Sequence, residues 1–136
     1  MADRKIKARI IICGGRHFND YEALESSVTS ALTEKGLASN EVEIVSGHCE
    51  GADTLGELYA NKHDIACKVF PAEWTKYGKA AGPIRNRAML DYAKEQTPVV
   101  AAFWNGESRG TGNMIKQAKT AGVECHIFLH EPNKSV

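Results

Sequence analysis

The chain has 136 residues, with 17 Lys and Arg against 17 Asp and Glu, so its formal charge is zero and its pI is near 7. That balance argues against a protein that coats nucleic acid through bulk positive charge, and no apolar run approaches the roughly 20 residues that span a bilayer. Met1 to Lys5 leads into no apolar segment or cleavage site, which speaks against an export signal and gives a cytoplasmic expectation.

The first apolar run, residues 9–13, predicts a strand, and its unbroken Ile-Ile-Ile-Cys character predicts burial on both faces of a parallel sheet. A helix of about 15 residues follows, with Tyr21, Leu24, Val28, Ala31 and Leu32 on one face, Asn19 and Glu22 as a capping box and Gly36 as the C-terminal cap. Residues 42–46 form the second strand, and a second helix starting near Gly51 turns Leu55, Leu58 and Tyr59 inward. Residues 65–70 are the third strand. A third helix begins at Gly82-Pro83, where proline suits the first turn, and buries Ile84, Ala88 and Tyr92. After the strand at 98–103, a fourth helix from Thr111 to about Ala121 faces Met114, Ile115, Ala118 and Ala121 toward the sheet, and the strand at 123–129 closes the order.

Alternating strands and helices demand right-handed crossovers, so the fold class is α/β, a Rossmann-like doubly wound five-stranded parallel sheet in three α/β/α layers. It spans residues 8–130, with 1–7 and 131–136 as tails. A strand order of 3-2-1-4-5 puts the ligand crevice between strands 1 and 4, beyond their carboxyl ends. The four cysteines, Cys13, Cys49, Cys67 and Cys125, are widely spaced without a C-x-x-C and read as reduced thiols. No metal and no cofactor is expected.

The unusual residues fall on the loops that would meet at that crevice. Gly14-Gly15-Arg16 permits close backbone approach and offers a guanidinium fork to a phosphate or carboxylate, unless Arg16 pairs with Asp20. It is not the dinucleotide fingerprint, which wants a third glycine and an acidic residue about 20 positions on. In 46–53, SGHCEGAD, Ser46 can cap or bond a phosphate beside Gly47. Asp53 can accept from ribose hydroxyls, serve a glycosidic bond, or simply favour the helix dipole. The stretch 71–87 carries Trp74 as a stacking face or loop closure, with Arg85 and Asn86 able to reach the crevice. Ser108-Arg109-Gly110-Thr111 opens a helix, an anion site by geometry, and no Walker A pattern accompanies it.

Taken in order, GGRHFND at 14–20, SGHCEGAD at 46–53, PAEW at 71–74 with YGKAAGPIRNR at 77–87, and SRGTGNM at 108–114 resemble the SLOG superfamily, named for the Smf/DprA and LOG proteins, and most closely its YspA-like branch. The resemblance implies a Rossmann-like domain that binds, and in some relatives senses, nucleotides or nucleotide-derived molecules. LOG proteins, which are commonly dimers, cleave the N-glycosidic bond of a cytokinin nucleotide, releasing base and ribose phosphate, with an arginine and a glutamate as catalytic groups. That glutamate's matching position here is Met114. Hydrolysis by this chain, of a nucleoside monophosphate or an ADP-ribose-like compound, would need Asp53, Glu50 or Glu107 in its place with Arg85 beside it. The expected partner is therefore a nucleotide-like small molecule, with a homodimer as the assembly implied and neither membrane nor nucleic acid as a partner.

Overall fold

In the computed structural model, which describes residues 4–130, the five apolar runs are five parallel strands: β1 (Ala8–Gly14), β2 (Val42–Ser46), β3 (Ala66–Val69), β4 (Thr97–Trp104) and β5 (Glu124–Leu129). Their spatial order is β3-β2-β1-β4-β5, so the winding reverses between β1 and β4. Ile10 and Ile12 face one way and Ile11 and Cys13 the other, each pair entering a separate core, which is why β1 reads as an unbroken apolar run. Helices α1 (Tyr21–Glu34) and α2 (Ala52–Lys62) cover one face, with Leu24, Val28 and Tyr59 in its core. Helices α4 (Ala81–Ala93) and α5 (Arg109–Thr120) cover the other with Met89, Leu90, Met114 and Ile115. The edge strands are less buried, and Leu129 at the end of β5 is 73% exposed.

Several local expectations are corrected. Asp20, not Asn19, caps α1, its Oδ1 accepting from the Ala23 amide at 3.0 Å. Leu58 is exposed, while Tyr59 is buried as expected, together with Ala52, Asp53, Gly56 and Ala60. Helix α4 starts at Ala81, with Pro83 in the first turn where its missing N–H costs nothing, and it turns Gly82, Asn86, Met89, Leu90 and Ala93 inward. Ile84 and Ala88 face solvent and Tyr92 is half-buried, because the buried face carries a polar residue, Asn86, that an apolar periodicity skips. Ala121 is exposed at the end of α5. The stretch after β3 is not a bare loop: it folds into a short helix α3 (Trp74–Tyr77) and a 3₁₀ turn (Gly78–Ala80).

At the amino end of the sheet, Arg9 joins three elements. Its Nε donates to Glu43 Oε1 at 2.9 Å, its Nη1 donates to the Tyr92 carbonyl at 2.7 Å, and its guanidinium lies 3.7 Å from the Tyr92 ring centre. The Tyr92 hydroxyl donates to the same Glu43 oxygen. Lys5 and Lys7 donate from their amides to Asn40 and Glu41, which ties part of the expected N-terminal tail to the domain; residues 1–3 and 131–136 lie outside the described residues. No helix among the described residues is long and apolar enough to cross a membrane.

Candidate functional site

Parallel strands deliver all their carboxyl ends to one edge, and a cavity of about 350 Å³ opens there, within the roughly 300–1,000 Å³ typical of small-molecule sites. Gly14 at the end of β1 and Arg16 from the turn after it enter the cavity, with Cys49 from the turn after β2, Asp53 from the first turn of α2, and Trp74 and Lys79 from α3 and the turn that follows it. Helix α4 contributes Arg85 and Asn86, and the start of α5 contributes Ser108, Arg109, Gly110 and Thr111. Three of the sequence candidates stand elsewhere. Gly15 lines an adjoining cavity with Phe18, Asn105 and Glu107, while Ser46 and Gly47 lie beneath the wall.

The Ser46 hydroxyl does not line the cavity. It is fully buried, donates to Glu57 Oε2 at 2.7 Å and accepts from the His48 amide at 3.1 Å, so it closes the turn after β2. His48, at φ 61° in the left-handed region, brings its Nδ1 within 2.9 Å of the same Glu57 carboxylate. Gly47 presents its carbonyl to Arg85 Nη1 at 2.8 Å, and any side chain there would run into that guanidinium. Gly51 holds φ at 87° against the carbonyls of Gly15 and Arg16, a position open only to glycine, and so locks the start of α2 against the first turn.

Asp53 sits in the first turn of α2 and is only 5% exposed. Burial lifts its carboxyl from the ordinary 3.8 to about 6; the Cys49 amide, 3.4 Å from Oδ2, and the Arg85 charge pull the other way without cancelling that loss of hydration. Arg85 is fixed on two sides. Its Nε donates to Asn86 Oδ1 at 3.0 Å, and its Nη1 also lies 3.6 Å from Cys49 Sγ. Asn86 in turn donates to the Gly110 carbonyl at 3.2 Å and to Asn113 Oδ1 at 3.0 Å, binding α4 to α5 across the cavity floor. Burial also pushes up the Cys13 thiol, which keeps it protonated.

The start of α5 is built by its approach turn. Asn105 Oδ1 accepts from the amides of Glu107 and Ser108, and Trp104 Nε1 donates to the Ser108 carbonyl at 3.0 Å. Gly112 is the first amide to bond back into the helix, so those of Arg109, Gly110 and Thr111 are the helix's unpaired first-turn donors, beside the Ser108 and Thr111 hydroxyls 3.2 Å apart. Arg16 and Arg109 are both exposed, and no ion pair joins Arg16 to Asp20 among the described residues. Trp74 is 57% exposed at the rim, so it does not close the loop onto a core. Met114 is fully buried against the sheet, outside the cavity.

Sequence reasoning passed over Lys79, Cys49 and Asn113 as lining residues. Lys79 was signalled by the cation-rich stretch before α4, and Asn113 by its place in the motif that opens α5; nothing local distinguished Cys49. Among the described residues no group of three or more His, Cys, Asp or Glu side chains is placed to hold a metal ion.

Comparison with known proteins bears on the whole fold. The Gene 61 protein of Mycobacterium phage D29 is 25% identical over 129 residues, which is 91% of this chain and 98% of that protein. The X-ray structure of DNA processing protein A (DprA) from Streptococcus pneumoniae superposes with a TM-score of 0.67 at 16% identity, covering 96% of this chain. The chain spans 52% of that DprA chain, and a likeness at this identity shows the fold alone. Residues 8–77, just over half of the sequence, match the family model described as YspA, cpYpsA-related SLOG family. The chain belongs to the YspA, cpYpsA-related SLOG family.

Proposed function

We propose that the chain binds a nucleotide or nucleotide-derived molecule in the 350 Å³ cavity, with a phosphate on the first turn of α5. The observation that carries this reading is the pairing of three unpaired helix amides with a wall whose charged residues are Arg16, Lys79, Arg85 and Arg109 against a lone carboxylate, Asp53. Backbone donors and the helix dipole favour an anion there, and guanidinium groups add charge-assisted bonds. Trp74 at the rim supplies a face on which a base can stack.

Thermal denaturation against a nucleotide panel tests the reading, since a ligand at 100 times its Kd adds about 2.7 kcal/mol of stability. A single-stranded oligonucleotide belongs in the same panel, because the structural neighbour is a DNA processing protein. Arg109→Ala is expected to weaken nucleotide binding by roughly 1 to 3 kcal/mol, the scale of a charge-assisted hydrogen bond, with the melting temperature of the unliganded protein nearly unchanged because Arg109 is exposed. Calorimetric titration reads it, and an unaltered affinity removes Arg109 from the site.

A second reading is favoured by the buried Asp53, whose carboxyl ionises near neutrality beside Arg85, as a group handling a proton at a glycosidic bond would. Met114, which matches the LOG glutamate, lies in the core, so the expected result is no free base above background when nucleoside monophosphates or ADP-ribose are incubated with the protein. Robust base release in chromatography, reduced by about 10²-fold or more in Asp53→Asn with affinity little changed, would replace binding with hydrolysis.

A further inference from the structure

The chain is neutral as a whole, but its two helix layers are not. On one face of the sheet α1 and α2 carry five anions, Glu22, Glu25, Glu34, Asp53 and Glu57, against one cation, Lys62. On the other face α4 and α5 carry five cations, Arg85, Arg87, Arg109, Lys116 and Lys119, against one anion, Asp91. Part of each set is satisfied within the chain: Glu25 meets His63, Glu57 meets Ser46 and His48, and Arg87 pairs with Asp91. Glu22 and Glu34, at the two ends of α1, are exposed and enter no ion pair among the described residues, and the same holds for Lys116 on α5 and Lys94 just past α4.

The shapes of the two surfaces match as their charges do. Between α4 and α5 lies a groove of about 450 Å³, lined in part by Leu90 and Ala121 and flanked by Arg87, Lys94 and Lys116 against the single carboxylate of Asp91. On the outward side of α1, Ala23, Ser26, Ser30 and Thr33 are exposed at spacings of three, four and three residues, which makes one stripe of small side chains along the helix. Small side chains at a contact let helix axes approach closely, as seating between two helices requires. Helix α1 has 14 residues and α4 and α5 have 13 and 12, so all three run about 20 Å.

A two-fold dimer through either helix layer would set like charge on like, because such an interface presents the same patch twice. We propose that copies of this chain associate head to tail, α1 of one seated in the α4–α5 groove of the next, with the exposed glutamates of α1 facing the lysines of the groove. The occupant is a second copy because the complement of the groove, in charge and in length, is a surface of the same chain. Exposed ion pairs are individually weak and are screened over about 10 Å at 0.1 M salt, so the contact is reversible and salt-dependent. It does not depend on the ligand reading above.

Sedimentation velocity across protein concentration tests the proposal. At an ionic strength of about 0.01 M the average mass of the wild type is expected to climb past twice the 14.9 kDa monomer without stopping at the dimer, and to return to the monomer at about 1 M. The double variants Lys94→Glu with Lys116→Glu and Glu22→Lys with Glu34→Lys should each stay monomeric at low salt, since each gives one copy two surfaces of the same sign. Their equimolar mixture should associate as the wild type does, a recovery that requires both variants to be folded. A wild type that stays monomeric at low salt, a dimer indifferent to salt, association that survives either double variant, or a mixture of folded variants that stays monomeric would overturn the proposal. A monomeric wild type that retains a single-stranded oligonucleotide, and loses it in Lys94→Glu with Lys116→Glu, would overturn it too and assign the groove to a polyanion.

Discussion

Replacing Asp53 with Asn should stabilise the unliganded protein by ~3 kcal/mol at neutral pH and by far less near pH 4. The sign follows from the direction of the shift. Asp53 ionises at about 6 in the fold and near 3.8 in the unfolded chain, so between those values the unfolded chain releases a proton that the folded one retains. Folding stability is fully present below 3.8 and is lost as the pH rises to about 6, at about 1.36 kcal/mol per pH unit. Asn has no charge to bury and keeps an oxygen for the Cys49 amide, so the variant escapes that loss. The melting temperatures of the two proteins should separate as the pH is raised from 4 to 6, by on the order of 10 °C, and run parallel above. A gap independent of pH would mean that Asp53 is not a buried charge in the native state.

Arg85→Met should produce the largest loss of nucleotide affinity, about a hundredfold or ~2.7 kcal/mol, since it removes a cation that cannot swing away. Its guanidinium is held by the Gly47 carbonyl and Asn86, so it is already oriented when the ligand arrives, whereas Arg109 must be ordered from solvent. Met retains the length of the stem, yet the Gly47 carbonyl loses its donor, which should lower stability by roughly 1 to 2 kcal/mol. Arg85→Met and Arg109→Ala should therefore differ in melting temperature as well as in titration. Affinity untouched by Arg85→Met would leave Arg85 as a clamp on the turn after β2 and nothing more.

The parallel sheet was legible because the continuous apolar runs of β1 and β4 read as strands buried on both faces and each helix between strands forces a parallel crossover, while the order β3-β2-β1-β4-β5 was taken from the Rossmann-like pattern. The clustering of Gly14, Arg16, Asp53, Trp74, Arg85 and the start of α5 followed from that order, since parallel strands share a carboxyl edge. What failed was the choice of inward face on α4. Ile84, Ala88 and Tyr92 recur at helical spacing, but the true buried stripe runs through Asn86, whose partners Gly110 and Asn113 are more than 20 residues away in sequence. The placement of Ser46 was hidden for a related reason. A serine ahead of a glycine turn reads as a phosphate ligand, and only the folded chain brings Glu57 from α2 to occupy its hydroxyl.

The Arg9 cluster lies at the amino end of β1, about 16 Å along the strand from Gly14 at ~3.3 Å per residue. One rim of the sheet is thus riveted by a guanidinium, two carboxylate contacts and an aromatic ring, while the other is left to turns and helix starts. On the proposed reading, rigidity and recognition fall to opposite rims. Side chains around the cleft can therefore be exchanged without loosening the rivet that keeps β1, β2 and α4 in register.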